Sequence, residues 1–385
     1  TSHLLIFTHG QYIQPKDDTM KNTLLKPIKV GHMDLPNRIF MSPMTRSRAD
    51  NPENKATQLM AEYYAQRASA GLIISEGSQV STEAVGYINT PGIYSPAQVE
   101  GWKLVTGAVH EKDGHIFCQL WHVGRVSHAD FHGGNPPVAP SAINARDKVF
   151  TKEGFKDTTT PQELTVSQIH NITQDFRRAA RNAVAAGFDG VEIHSANGYL
   201  FHQFFVNSAN TRNDEYGGSH ENKARFFFET LQEVGREIGF HRVGIRLNPS
   251  AHGFFGITID RDTIPTFEHI VERLNDFSNL AYVHFVEPMA PVDNVPYAVK
   301  EIARHFRPRC RLTMVINCGF RAESGKRVIE EGLADAVAFG KPFIANPDLV
   351  ERIAAGVPWN RWDQATFYTP GPAGYTDYPT MDDQK

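Results

Sequence analysis

Eight short β-rich runs, each followed after a loop by a helical pattern, set the strongest limit on how this chain can fold. They are "RIFMS" at 38–42, "LIIS" at 72–75, "IFCQLW" at 116–121, "GVEIH" at 190–194, "VGIRL" at 243–247, "YVHFV" at 282–286, "LTMVI" at 312–316 and "AVAFG" at 336–340. The stretches between them carry apolar residues at three- and four-residue spacing, as in Phe176, Ala179, Ala180, Ala183 and Val184 of 165–187, the period of an amphipathic helix. "AAGFDGVEI" takes such a helix to its end at Gly187 and leads straight into a strand. Eight strand–helix units predict an α/β fold, the closed parallel (β/α)8 or TIM barrel. An open doubly wound sheet usually has fewer strands and a Gly-rich phosphate loop after its first strand. No G-x-G-x-x-G occurs here, and "GFRAESGKR" at 319–327 misses the P-loop spacing and lacks a Ser or Thr after Lys326. A nicotinamide coenzyme, if used, is therefore not expected in a Rossmann domain.

A barrel of this kind needs about 250 residues, and the chain has 385, so the surplus must lie in additions. Residues 27–37, "PIKVGHMDLPN", read as an N-terminal β-hairpin capping the barrel bottom. Residues 122–163, rich in Gly, Pro, His and Thr, form a long loop after strand 3. The tail from Pro358 carries Trp359, Trp362, Phe367, Tyr368 and Tyr375. Loops that long are usually functional lids. Residues 1–19 precede Met20-Lys21, which resembles a second start, and are read as an N-terminal extension, either disordered or foreign to the natural chain; residues 20–385 are expected to form one barrel domain. A net charge of −4 with interspersed signs offers no face for nucleic acid, and no apolar run is long enough to span a bilayer. Three cysteines far apart, Cys118, Cys310 and Cys318, argue against a disulfide framework and for a cytoplasmic setting. Cys118 reads as a small buried hydrophobe.

Reactive groups of such barrels collect at the carboxyl ends of the strands. Here those ends carry Ser42 to Thr45, Glu76-Gly77, Gln119 to His122, His194, Arg246, Asn317-Cys318-Gly319 and Gly340-Lys341. The set is rich in hydrogen-bond donors and poor in carboxylates. Glycosidases need two flanking carboxylates and metal barrels need several ligands on neighbouring strands, yet only Glu76 and, depending on its orientation, Glu192 qualify. His122, His128 and His132 read as a solvated loop cluster, and no metal is expected. A donor-rich mouth suits an electron-rich cofactor with carbonyl oxygens, ring nitrogens and a phosphate, a description that FMN meets. The ends of strands 7 and 8 commonly form a phosphate site.

"PNRIFMSPMTR" (36–46), "EYYAQRASAGLIISEG" (62–77), "QLWHVGR" (119–125), "VEIHSANGYLFHQF" (191–204), "TRNDEYGGSHENKARF" (211–226), "AVAFGKPFIANPDLV" (336–350) and "FYTPGPAGYTDYP" (367–379) resemble, in order and spacing, the blocks of the old yellow enzyme family of FMN-dependent ene-reductases. The resemblance runs from about Leu24 to Tyr378. It implies that Pro43, Met44 and Thr45 line the flavin, with the Thr45 hydroxyl at O4. Gly77 and Gln119 would hold the pyrimidine edge, Arg246 the N1/O2 side, and Gly319, Gly340 and Lys341 the phosphate. His194 and Asn197 would bind a substrate carbonyl oxygen, Tyr199 would deliver a proton, and Trp121 and Tyr368 would wall the pocket; Tyr375 is likewise expected over it. Three departures stand out. Lys341 replaces the family's usual Arg, Cys318 sits where a smaller residue is common, and Asn197 replaces the His of many bacterial members.

The expected reaction is ping-pong in one pocket. NADPH or NADH reduces FMN, which then reduces the activated C=C bond of an electron-poor alkene, an α,β-unsaturated carbonyl or nitro compound, with Tyr199 as acid. The alternatives are a flavin-free barrel hydrolase or lyase using His194 and Glu76, and an inactive ligand-binding barrel. The partner is a small molecule, and the expected state is monomer or homodimer. "TRNDEYGG" is read as structural, with Arg212, Asp214 and Glu215 mutually paired.

Overall fold

A computed structural model describes residues 22–384; the expected extension at 1–19 lies outside the described residues. The eight sequence runs become the eight strands of a closed parallel barrel: β1 (Ile39–Met41), β2 (Leu72–Gln79), β3 (Ile116–Trp121), β4 (Gly190–Ser195), β5 (Val243–Leu247), β6 (Tyr282–Val286), β7 (Met314–Asn317) and β8 (Ala336–Phe339). Each pairs with the next, and β8 closes on β1. β2 runs beyond Glu76, through a register shift between Ile74 and Gly77. Helices such as Gln58–Ala65, Pro96–His110, Val166–Ala185, His220–Ile238 and Thr263–Leu274 follow the strands. Val166–Ala185 starts at Thr165, whose hydroxyl accepts from Gln168 N at 3.2 Å. It ends before Gly187 at φ +92°, a left-handed geometry that favours Gly.

Side chains alternate along each strand. Ile39, Ile73, Ile116, Cys118, Leu120, Val191, Ile193, Val243, Ile245 and Met314 face outward into the core shared with the helices. That assigns Cys118 to the packing role expected of it. Phe40, Leu72, Ile74, Phe117, Tyr282, Val315 and Ala338 face inward, where they cluster with Val30, Met33 and Leu35. The last three come from the hairpin Ile28–Val30/Met33–Leu35, which plugs the amino-terminal end of the barrel. Each fully buried side chain of this size stabilises the fold by about 1.5–3 kcal/mol. Above this apolar layer the inward positions turn polar, and they form the floor of the mouth.

The 122–163 excursion folds into a hairpin, Lys148–Thr151 with Gly154–Asp157, and a short parallel pair, Val138–Ala139 with Gln162–Glu163. Its Val123, Val126, Ala145 and Val149 cluster with Trp121, and Tyr87, Phe131, Tyr199 and Phe255 pack against them. The excursion is thus a wall of the mouth. Arg212 ties it down, donating to Pro140 O at 2.9 Å and Leu164 O at 2.6 Å while its Nε reaches Asp214 Oδ1 at 2.9 Å. This is the structural role expected of "TRNDEYGG", although Glu215 serves through its backbone carbonyl, accepting from Arg225 Nε. Among the described residues no helix is long and apolar enough to cross a membrane.

Candidate active site

Parallel register decides which side chains meet at the mouth. Gln119 lies beside Glu192, His194 beside Arg246, and Arg246 beside His284. All face inward and are buried. Gln119 Nε2 donates to Glu192 Oε1 at 2.7 Å, the His284 ring nitrogen is 2.8 Å from Glu192 Oε2, Arg246 Nη1 lies 3.1 Å from His284 Nε2, and Arg246 Nη2 donates to Asn317 Oδ1 at 2.9 Å. Asn317 Nδ2 continues the chain to Ser42 Oγ at 2.8 Å. Burial pushes the Glu192 carboxyl up, but His284, Arg246 and Gln119 outweigh it and hold the group below its ordinary value. Burial, then the Arg246 charge, pushes His284 down to about 4. The charged pair is therefore Glu192 and Arg246, with a neutral imidazole between them. Glu192, of open orientation in the sequence, faces inward, and it serves this network rather than a solvent-facing acid pair.

Where β4 ends, Ala196 N donates to His194 Nδ1 at 3.3 Å, which leaves Nε2 as the protonated nitrogen of the neutral ring. Burial and the Arg246 charge keep that ring neutral, well below its ordinary pKa. Asn197 adopts φ +54°, and its Oδ1 accepts from Asn248 Nδ2 at 2.7 Å, so its amide NH2 is left to donate. Tyr199 stands edge-on to both His194 (5.0 Å between centroids, 83°) and Trp121 (5.0 Å, 82°). Trp121 lies nearly parallel to the rings of both Tyr87 (5.6 Å, 14°) and His194 (6.4 Å, 17°). Gly77 is set by that indole: a Cβ there would lie 2.6 Å from Trp121 Cε3.

Beside this cluster opens a cavity of about 1200 Å³. Asn197, Arg246 and Asn317 line it, as do Cys318, Gly319, Gly340 and Lys341, with Arg321 and Lys326 adding cations. Cys318 and Gly319 have φ +83° and +78°, and the side of Gly319 where a Cβ would project is open, with nothing within 4 Å. Met44 borders Gly340; Pro43, Met44 and Thr45 are half-buried in the loop after β1. Lys341 Nζ lies 5.9 Å over the Trp362 ring. Tyr368, exposed on the tail, is near enough to raise the pKa of both Tyr199 and Tyr87.

Three expectations are corrected. Glu76 does not face the mouth: Tyr64 Oη donates to it at 3.2 Å and Arg46 N at 3.4 Å, so it is sequestered against helix Gln58–Ala65 and cannot pair with His194. Tyr375 is not over the pocket but fully buried, stacked on Tyr63 at 3.9 Å and 8° and covered by Arg46 and Arg48. The reason is that buried Arg46, Arg48 and Arg67 collect the tail carbonyls of Phe367, Gly371, Ala373, Gly374 and Tyr375. His122 is not solvated: it is buried, its Nδ1 accepts from Gly124 N at 3.1 Å, and burial pushes it down to about 3. Among the described residues no group of three or more His, Cys, Asp or Glu could hold a metal ion.

Sequence reasoning missed Tyr87, Asn248 and His284. His284 was findable, since it shares the inward parity of Tyr282 in a buried strand. Asn248 was an amide just past a strand end, two residues after Arg246. Tyr87 lies in a loop with no periodic signal.

A closed parallel barrel with a donor-rich, carboxylate-poor mouth beside a cation-rimmed cavity defines a class, the flavin-dependent barrel oxidoreductases. The NADH:flavin oxidoreductase / NADH oxidase family model matches residues 23–360, and the chain belongs to that family, within the old yellow enzymes. It is 43% identical over 363 residues to 12-oxophytodienoate reductase 1 of Oryza sativa subsp. japonica, covering 94% of this chain and 93% of the relative. It is 38% identical over 380 residues to flavin oxidoreductase hxnT of Emericella nidulans, covering 92% and 97%. Among solved structures, the old yellow enzyme homologue from Zymomonas mobilis superimposes with TM-score 0.87 at 40% identity, covering 93% of this chain and 99% of that one. Morphinone reductase in complex with tetrahydroNAD gives 0.86 at 43%, covering 94% and 98%. The protein is an NAD(P)H-dependent oxidoreductase whose cofactor is FMN. The site fits that cofactor: the buried Arg246 guanidinium meets one part of the cavity, and Gly319, Gly340 and the cations of Lys341, Arg321 and Lys326 border it where a phosphate needs amides and positive charge.

Proposed function

We propose that the protein reduces the activated C=C bond of α,β-unsaturated carbonyl or nitro compounds by ping-pong turnover, with NADPH or NADH and the alkene using one pocket in turn. In this reading Pro43, Met44 and Thr45 line the flavin, Gly77 and Gln119 flank its pyrimidine edge, Arg246 sits at its N1/O2 side, and Gly319, Gly340 and Lys341 hold its phosphate. Bound FMN supplies a hydride from N5. His194 Nε2–H and the Asn197 amide then hold the substrate oxygen between two donors, drawing electron density from the conjugated β-carbon. Tyr199 gives its proton to the α-carbon. Trp121 and Tyr368 shape the pocket. The chain acts as one barrel domain, and its free cysteines suit a reducing compartment such as the cytoplasm.

The observation that carries the reading is the pair of oriented donors, His194 fixed through Ala196 N and Asn197 fixed through Asn248, beside the edge-on Tyr199 phenol. Anaerobic stopped-flow measurement of the two half-reactions tests it. Tyr199→Phe should leave flavin reduction by NADPH nearly intact and slow alkene reduction. Equal loss in both halves would remove Tyr199 from the acid role.

A further inference from the structure

Tyr199 is a poor acid to leave unsupported. Burial raises its pKa, and giving up its proton would place a phenolate among Trp121, Phe255 and the neutral His194 ring, where an unpaired charge is costly. Among the described residues one polar side chain reaches its hydroxyl: Tyr87 Oη, at 3.3 Å. Tyr87 is held in place for this. Its ring stacks on Trp121, its carbonyl accepts from Thr90 Oγ1 at 3.0 Å, and the next amide, Ile88 N, donates to Phe150 O at 3.4 Å. It is also half-buried rather than sealed in, and the exposed Tyr368 is close enough to both phenols to interact with them.

We infer that Tyr87 is a positioning residue for the acid step, donating a hydrogen bond to Tyr199 Oη as that oxygen loses its proton and then returning a proton to it from solvent. In the resting pair either hydroxyl can donate; once Tyr199 delivers its proton, only Tyr87 can. The one further reactant is water, which supplies the final proton and leaves hydroxide to bulk solvent. The Tyr199 O–H bond breaks as the substrate Cα–H bond forms. The Tyr87 O–H bond then breaks as the Tyr199 O–H bond re-forms, and Tyr87 takes a proton from water. The hydrogen bond from Tyr87 also acts against burial, lowering the pKa of Tyr199.

The inference rests on Tyr199 being the acid, and a double-mutant cycle separates the two claims. Tyr87→Phe keeps the ring on Trp121 and removes only the hydroxyl. FMN-loaded Tyr87→Phe should show an unchanged rate of flavin reduction by NADPH and an alkene half-reaction slowed about tenfold, a fraction of what a general acid contributes. Adding Tyr87→Phe to Tyr199→Phe should slow the alkene step no further, within about twofold, because the group it serves is already gone. An alkene half-reaction in Tyr87→Phe within about twofold of wild type, or the same loss in both backgrounds, would overturn the role of Tyr87 and leave the acid assignment standing. A Tyr199→Phe variant with an unimpaired alkene step would instead remove the acid assignment and the inference with it.

Discussion

Asn248 Nδ2 donates to Asn197 Oδ1 at 2.7 Å, so one amide at the end of β5 decides which end of another amide, at the end of β4, faces the pocket. Without that bond Asn197 can rotate and present its carbonyl to a substrate oxygen, which repels it. Asn248→Ala should lower kcat/KM for an enone about five- to tenfold, the scale of one neutral hydrogen bond, while FMN stays bound. Steady-state kinetics at saturating NADPH checks this; unchanged kcat/KM would mean the Asn197 amide needs no orienter.

His194 should matter to chemistry far more than to folding. Its ring is neutral because burial and Arg246 disfavour the charged form, so no titration of this residue should shape alkene reduction between about pH 5.5 and 8. His194→Ala should slow alkene turnover about 10²–10³-fold with little change in Tm. A rate limb near pH 6.5 that disappears in His194→Asn would show that the imidazole does ionise in the working range.

Glu192 neutralises Arg246 across His284. Removing that negative charge leaves the guanidinium uncompensated and favours added electrons on a bound flavin. Glu192→Gln, which retains an acceptor for Gln119, should raise the flavin midpoint potential by roughly 30 mV, equivalent to about 1.4 kcal/mol for two electrons. Spectroelectrochemical titration giving an unchanged or lowered potential would break this link.

Lys341 offers a phosphate a point charge, whereas Arg offers two parallel N–H donors. Lys341→Arg should tighten FMN retention and Lys341→Ala should loosen it, read by fluorescence of flavin released on dilution. Unaltered or weaker retention in Lys341→Arg would argue that the phosphate is held elsewhere along the cavity.

Glu76 makes a pH-dependent contribution to stability. Burial, against the pull of Arg46 N–H, Tyr64 and the Arg46 and Arg48 charges, raises it from 4.5 to about 7. The folded state therefore binds this proton more tightly than the unfolded chain, and its contribution, on the order of 3 kcal/mol, is present below the unfolded pKa and lost as pH rises through about 7. Glu76→Gln cannot ionise and should lose less stability between pH 5 and pH 8 than wild type in urea unfolding. Parallel curves would show that the carboxyl ionises normally in the fold.

What the chain declares locally survived intact. Strand parity is a two-residue property, so "VEIH" was enough to put Val191 and Ile193 on one face and Glu192 and His194 on the other, and "VGIRL" and "IFCQLW" put Arg246 and Gln119 at strand ends; that Glu192 faces inward was decided by the barrel. The barrel itself followed from eight repetitions of one local pattern, and the family from blocks of contiguous residues. What local pattern does not hold is partnership. That Glu192 answers Arg246 through His284 depends on the pairing of β4, β5 and β6, whose neighbours lie tens of residues apart. That Glu76 turns to Tyr64 depends on the register shift in β2, and that Tyr375 is buried depends on three arginines at the far end of the chain drawing in the tail carbonyls. Tyr87 meets Tyr199 only because the loop after β2 and the end of β4 both pack against Trp121. Periodicity fixes which way a side chain points, and only closure of the barrel, which balances buried charges and hydrogen-bond donors across distant segments, fixes what it points at.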